Sequence, residues 1–176
     1  MFDLFLPFIL GAAIGIEPDR TPDAPVVAEM TEALPPLDQG SGDDMTDTRT
    51  PEPQIPTGQF TTAVEVRPIL DMTKSNWIAV REYDGQDLIY FTHLMSWRCG
   101  LWDIRYGING EPADTVVSME PCNTDYQQPN VMIDVENFLP YVSYPAGSVQ
   151  SVYVEIDFDD GTSDFAQFNR NEVLIP

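Results

Sequence analysis

Read at a period of two, the stretches Trp77 to Tyr83 and Asp87 to Arg98 place Ile78, Val80, Ile89, Phe91, Met95 and Trp97 on one face and a mixed set of residues on the other, which predicts strands. Asp84-Gly85 between them is a two-residue turn signal, and folding the chain there sets Val80 opposite Ile89 and Ile78 opposite Phe91. A second fold at Cys99-Gly100 sets Trp97 against Trp102, Met95 against Ile104, His93 against Tyr106 and Phe91 against Ile108. All these pairs fall on one face, so the alternation predicts a three-stranded meander in a single register. Near the C-terminus, Val152, Val154, Ile156 and Phe158 face one way before Asp159-Asp160-Gly161-Thr162 turns the chain. A two-residue turn there pairs Ile156 with Phe165. A three-residue loop pairs Val152 with Phe168 and Val154 with Ala166, and is preferred because it keeps apolar residues together.

Thr62-Ala-Val-Glu65 has capping-box spacing, and Val66, Ile69, Leu70 and Thr73 follow at helical intervals, so a helix is expected over 62–74. Pro68 removes an amide just past the first turn and predicts a kink or two short pieces. The expected fold is α+β: an antiparallel meander of four to seven strands with one N-terminal helix packed on the sheet.

Composition divides the 176 residues into three zones. Residues 1–16 contain an apolar run, Leu4 to Ile16, shorter than the about 20 residues that span a bilayer. It suits a signal-peptide-like or anchoring segment, with Gly11-Ala12-Ala13 supplying small residues, although Asp3 stands where a basic residue is expected. Residues 17–59 carry eight of the 16 prolines and no Phe, Tyr, Trp or Cys. Such an acidic, Pro-rich stretch buries too little to offset its ordering entropy and is expected to be a disordered linker. Residues 60–176 hold 16 of the 19 aromatic residues and both cysteines, and form the expected globular domain.

The 29 acidic and 8 basic residues give a net charge of −21, which repels nucleic acids and anionic lipid. Any membrane association falls to residues 1–16 alone. One histidine and two cysteines cannot build a multi-Cys/His metal centre, and no cofactor is expected. If the chain is exported, to the periplasm or outside the cell, Cys99 and Cys122 are expected to form a disulfide.

His93 is the sole imidazole and is expected to be a half-buried packing residue facing Tyr106 rather than a general base. Asp157, Asp159, Asp160 and Asp164 crowd around Gly161 out of register for a calcium loop and read as a solvated turn. Glu82 and Asp87, opposed across the first hairpin, read as an exposed, mildly repulsive pair. On the mixed face, Arg81, Tyr90 and Arg105, with Trp77 and Arg98 nearby, form the candidate binding surface for a carboxylate, sulfate or peptide terminus. Internal ion pairs, with Asp103 for example, are the duller use of Arg98 and Arg105.

The function expected is therefore a non-catalytic exported binding or accessory module for an unidentified protein or small anionic ligand. Two other readings stand beside it. One is a small hydrolase using His93 or acidic residues in a cleft formed by 109–150, and the other a structural subunit of a larger complex.

Overall fold

The computed structural model describes residues 48–176. The apolar segment 1–16 and the Pro-rich segment up to residue 47 lie outside the described residues. The chain runs α1 (Ala63–Met72), β1 (Ala79–Tyr83), β2 (Gln86–Tyr90), α2 (Thr92–Met95), β3 (Leu101–Ile108), β4 (Thr115–Val116), β5 (Tyr141–Pro145), β6 (Ser151–Phe158), β7 (Ser163–Asn169), α3 (Arg170–Val173) and β8 (Leu174–Ile175). The fold is mixed α+β, with two four-stranded sheets ordered β5-β2-β1-β8 and β4-β3-β6-β7. Pairing is antiparallel throughout except where β8 joins β1.

The first hairpin has the expected register, with Val80 opposite Ile89 and Glu82 opposite Asp87. Asp84 and Gly85 both take positive φ, 48° and 73°, as the turn that matches strand twist requires. The C-terminal hairpin takes the preferred three-residue loop, pairing Val152 with Phe168 and Val154 with Ala166. Gly161, at φ 81°, supplies the left-handed residue that closes it.

The continuous meander is overturned. The chain leaves the strand at Phe91, forms α2 and a 3-10 turn over Arg98–Gly100, and enters the other sheet as β3. There Ile104, Tyr106 and Ile108 pair with Ile156, Val154 and Val152, not with Met95, His93 and Phe91. The stretch has two periods at once. Phe91, Met95 and Trp97 satisfy alternation, but Phe91, Leu94 and Met95 are all fully buried and lie at helical spacing. Cys99-Gly100 is no hairpin turn either. A Cβ on Gly100 would lie 2.6 Å from Val66 Cγ2 and 2.9 Å from the Thr62 carbonyl carbon, so the glycine lets the chain pass against the start of α1.

Helix α1 runs through Pro68 as one element, not two pieces. Its first amides are satisfied from far away: Asp159 Oδ1 accepts from Ala63 N at 2.8 Å and Gln54 Oε1 from Val64 N at 3.0 Å. The expected capping box is not formed. Glu65 instead accepts from the backbone amides of Thr57, Gly58 and Thr61 and from the Thr62 hydroxyl, tying down the preceding loop. Contacts to the domain begin already in the Pro-rich zone, since Glu52 N donates to Asp159 O at 2.8 Å and Arg49 pairs with Asp103.

One apolar cluster takes Val80 and Ile89 from the first sheet and Ile104, Val152, Val154, Ile156 and Phe158 from the second. Leu70 and Trp77 close it beside α1, where the Trp77 indole donates to Leu70 O at 2.9 Å. The sheets also meet through Tyr106 and Tyr144, whose hydroxyls lie 2.9 Å apart. Burial and this hydrogen bond push the Tyr106 phenol well above its usual range.

Candidate functional site

Where β1, β2 and α2 converge with the C-terminal β8, the surface opens into a groove of about 580 Å³. Ala79, Tyr90 and Ile175 supply the accessible apolar wall, with the buried Trp77 and Ile78 behind it, and Arg81 and His93 contribute the ionisable groups. Two of the residues expected to bind, Arg81 and Tyr90, thus come together. Both sit on the first hairpin at positions of the same parity, opposite Leu88 and Ala79 respectively.

Arg105 is not part of this site. It lies on β3 in the other sheet, where Nε and Nη2 bond Asp157 and Nη2 bonds Glu155 at 2.8 Å. Arg98 is also engaged elsewhere. The residue is 3 % exposed, and its guanidinium donates to the carbonyls of Glu120, Asn130 and Val131 at 2.7, 2.6 and 3.1 Å. The ion-pair partners differ from the expected Asp103, which Arg49 occupies.

Arg81 differs from every other described cation. Arg49, Arg67, Lys74, Arg98, Arg105 and Arg170 each lie within ion-pair distance of a carboxylate. Among the described residues Arg81 has no such partner. Its exposed guanidinium lies 5.4 Å from the centre of the Tyr83 ring and is otherwise turned to solvent beside the groove.

His93 is half-buried, as expected, but on α2 and not opposite Tyr106. The Thr73 hydroxyl donates to Ile69 O at 2.7 Å, so its oxygen accepts from His93 Nε2–H at 2.8 Å and selects that tautomer. Burial lowers the pKa of His93, which favours this neutral form. Ser96, in the same groove, donates its hydroxyl to Thr92 O at 2.7 Å. No hydroxyl is therefore poised against a free imidazole nitrogen among the described residues, and the groove lining includes no carboxylate. No protein-family model, curated protein or solved structure matches the chain.

The acidic residues fare differently from the sequence reading. The four aspartates around Gly161 are not a solvated set, because each is engaged separately. Asp157 pairs with Arg105, Asp160 with Arg67, Asp164 with Lys74, and Asp159 is a buried cap of α1. Asp87 is not exposed either. It is fully buried and held by Arg170, while its cross-strand neighbour Glu82 stays at the surface.

Two residues escaped sequence reasoning altogether. Arg170 and Glu120 each anchor a buried network, and their signals lie in three dimensions. Asp87 had a signal nearer to hand: it shares strand parity with Ile89, so the register that buries Ile89 points Asp87 inward as well.

The Cys99–Cys122 disulfide is present, with Cα atoms 5.0 Å apart. No helix among the described residues is long and apolar enough to cross a membrane.

Proposed function

We propose that the domain is a non-catalytic, exported binding module, and that the groove beside Arg81 takes a small amphiphilic carboxylate. The observation that carries this reading is the guanidinium of Arg81. In a chain of net charge −21, where every other described Lys or Arg is matched by an acid, this one stands unmatched at the edge of an aromatic-walled groove. A carboxylate would meet the planar fork of Arg81 while an apolar body lies along Ala79, Tyr90 and Ile175. Export is supported by the disulfide, which suits an oxidising compartment. The acidic, Pro-rich zone then serves as the tether.

The test uses 4-phenylbutyrate as probe and 4-phenylbutyramide as its uncharged counterpart, followed by NMR on the full chain. The acid should shift the Tyr90 ring and the Ile175 methyl signals saturably and the amide should not. Arg81→Gln should abolish the response and Arg105→Gln should leave it. Equal binding of acid and amide, or binding that survives Arg81→Gln, removes the basis of the proposal.

A second reading, a structural subunit of a larger complex, has one observation in its favour. Tyr126, Val131, Ile133, Val135 and Leu139 are all exposed along one irregular stretch. Size-exclusion of the isolated chain separates the two, since a monomer free of self-association supports the binding module alone.

A further inference from the structure

A second cavity, of about 400 Å³, lies between the start of α1, the Cys99–Cys122 disulfide and the segment carrying Glu52. Asp159 is the unusual member of its wall. The residue is 2 % exposed, and Oδ1 accepts from Ala63 N and Gln54 Nε2, each at 2.8 Å. Its other oxygen, Oδ2, is buried and has no hydrogen-bond partner. Buried carboxylate oxygens in folded proteins are nearly always met by a donor, so this one marks a place where a donor is missing.

None of the other polar groups that line the cavity bonds this oxygen. Arg98 spends its donors on backbone carbonyls, and Glu120 has both oxygens occupied, by Asn123 Nδ2 and by the amides of Ile133 and Asp134. Glu52, exposed and also lining the cavity, donates its backbone amide to Asp159 O, and its carboxylate has no hydrogen-bond partner among the described residues. The unpartnered Oδ2 of Asp159 and the Glu52 carboxylate therefore border one cavity whose other walls include Leu101, Trp102 and Met119. Burial raises the Asp159 pKa, and the charges of Glu52 and Asp160 add to this, while the Arg98 guanidinium in the same wall is held by backbone carbonyls and lies beside Glu120.

We infer that this cavity is a binding site for a small primary alkylammonium, whose N–H groups bond Asp159 Oδ2 and the Glu52 carboxylate while its carbon chain lies on Leu101 and Met119. A neutral donor would satisfy Oδ2 but gain nothing from Glu52. A guanidinium is broader than one oxygen from each carboxylate demands, whereas an ammonium offers three donors from one point. The site is separate from the Arg81 groove and takes the opposite charge.

The probe is n-butylamine hydrochloride, titrated at pH 7 and constant ionic strength into the full, disulfide-bonded chain labelled with nitrogen-15, with n-butanol as the uncharged control. Saturable shifts of the Trp102 indole and the Ala63 amide are expected with the amine only, together with a lower carboxyl titration midpoint for Asp159. Asp159→Asn keeps the Oδ1 acceptor that caps α1 but replaces the free oxygen by a donor, and should weaken binding at least about tenfold. Glu52→Gln touches an exposed side chain without partners and should weaken it measurably while the fold is intact. It decides the matter should Asp159→Asn not fold. Absence of saturation, an equal response to butanol, or amine binding unchanged in these variants overturns the assignment.

Discussion

Arg170 closes on Asp87 with two parallel hydrogen bonds, Nη1 to Oδ2 at 2.6 Å and Nη2 to Oδ1 at 2.8 Å. The pair joins the residue that follows β7 in one sheet to the start of β2 in the other. Asp87 is fully buried, and Val149 N donates to it as well. The Arg170 hydrogen bonds outweigh the cost of burial and hold the Asp87 carboxyl at about 2, down from 3.8. Glu82 adds a third contact to Arg170 at 3.1 Å from its exposed position. In this network the acids flanking the first hairpin act as an inter-sheet clasp, and only one of them is wet.

Removing one partner of that clasp leaves a buried charge uncompensated, so Arg170→Met should cost about 3 kcal/mol at pH 7 by urea denaturation. The pH dependence follows from the sign of the Asp87 shift. Its folded-state value is depressed, so the stabilisation is complete above 3.8 and is lost as pH falls through about 2. The wild-type advantage over Arg170→Met should therefore shrink between pH 4 and pH 2. A difference that is the same at pH 7 and pH 2 would contradict the clasp.

Arg98 and the disulfide restrain the same loop by different means. Arg98 pins the carbonyls of Glu120, Asn130 and Val131, and Cys122 lies between them in sequence, bonded to Cys99. Cys99→Ser with Cys122→Ser should cost about 3 kcal/mol through the unfolded chain, and Arg98→Met a similar amount through orphaned carbonyls. Combined, the changes should cost less than their sum, because either alone frees the segment that the other holds. Strict additivity in a thermal-unfolding cycle would show the two restraints to be independent.

Gly107 is required for space and not for its backbone angles. A Cβ there would stand 2.2 Å from the Pro112 carbonyl oxygen and 2.3 Å from that of Glu111, both of them backbone atoms. Gly107→Ala should destabilise by about 2 kcal/mol or more, although the residue sits in a strand where alanine is ordinarily harmless. A variant within about 0.5 kcal/mol of wild type would mean that the 111–112 turn yields freely.

Glu65 orders the approach to α1. Burial works against its charge, yet hydrogen bonds from Gly58, Thr62, Thr61 and Thr57 lower its pKa overall. Glu65→Ala should raise hydrogen exchange at the Thr57, Gly58 and Thr61 amides while costing about 1 kcal/mol in global stability. Unchanged protection at those three amides would show that packing alone orders the loop.

Local pattern reads well wherever one period governs. The Asp84-Gly85 turn, the Val80–Ile89 pair, the Val152–Phe168 register and the buried face of β6 all follow from alternation and turn chemistry. Pattern fails between Phe91 and Gly100, where the same apolar residues satisfy both strand and helix spacing. The candidate site splits along the same line. Arg81 and Tyr90 come together because they share a hairpin, and Arg105 drops out because its assignment to that face depended on the strand that α2 replaces.

By itself the sequence determined the two hairpins, the helix after Thr62, the segregation of apolar residues into 60–176 and the pairing-ready cysteines, since each rests on neighbours within a turn or a strand. Only the tertiary structure decided which charges have partners. Arg81 is left over, Asp87 is buried and Asp159 lacks one donor because residues roughly 80 to 100 positions away reach or fail to reach them. Charge pairing acts through space at a few ångströms, and chain order carries no record of which distant side chains close that gap.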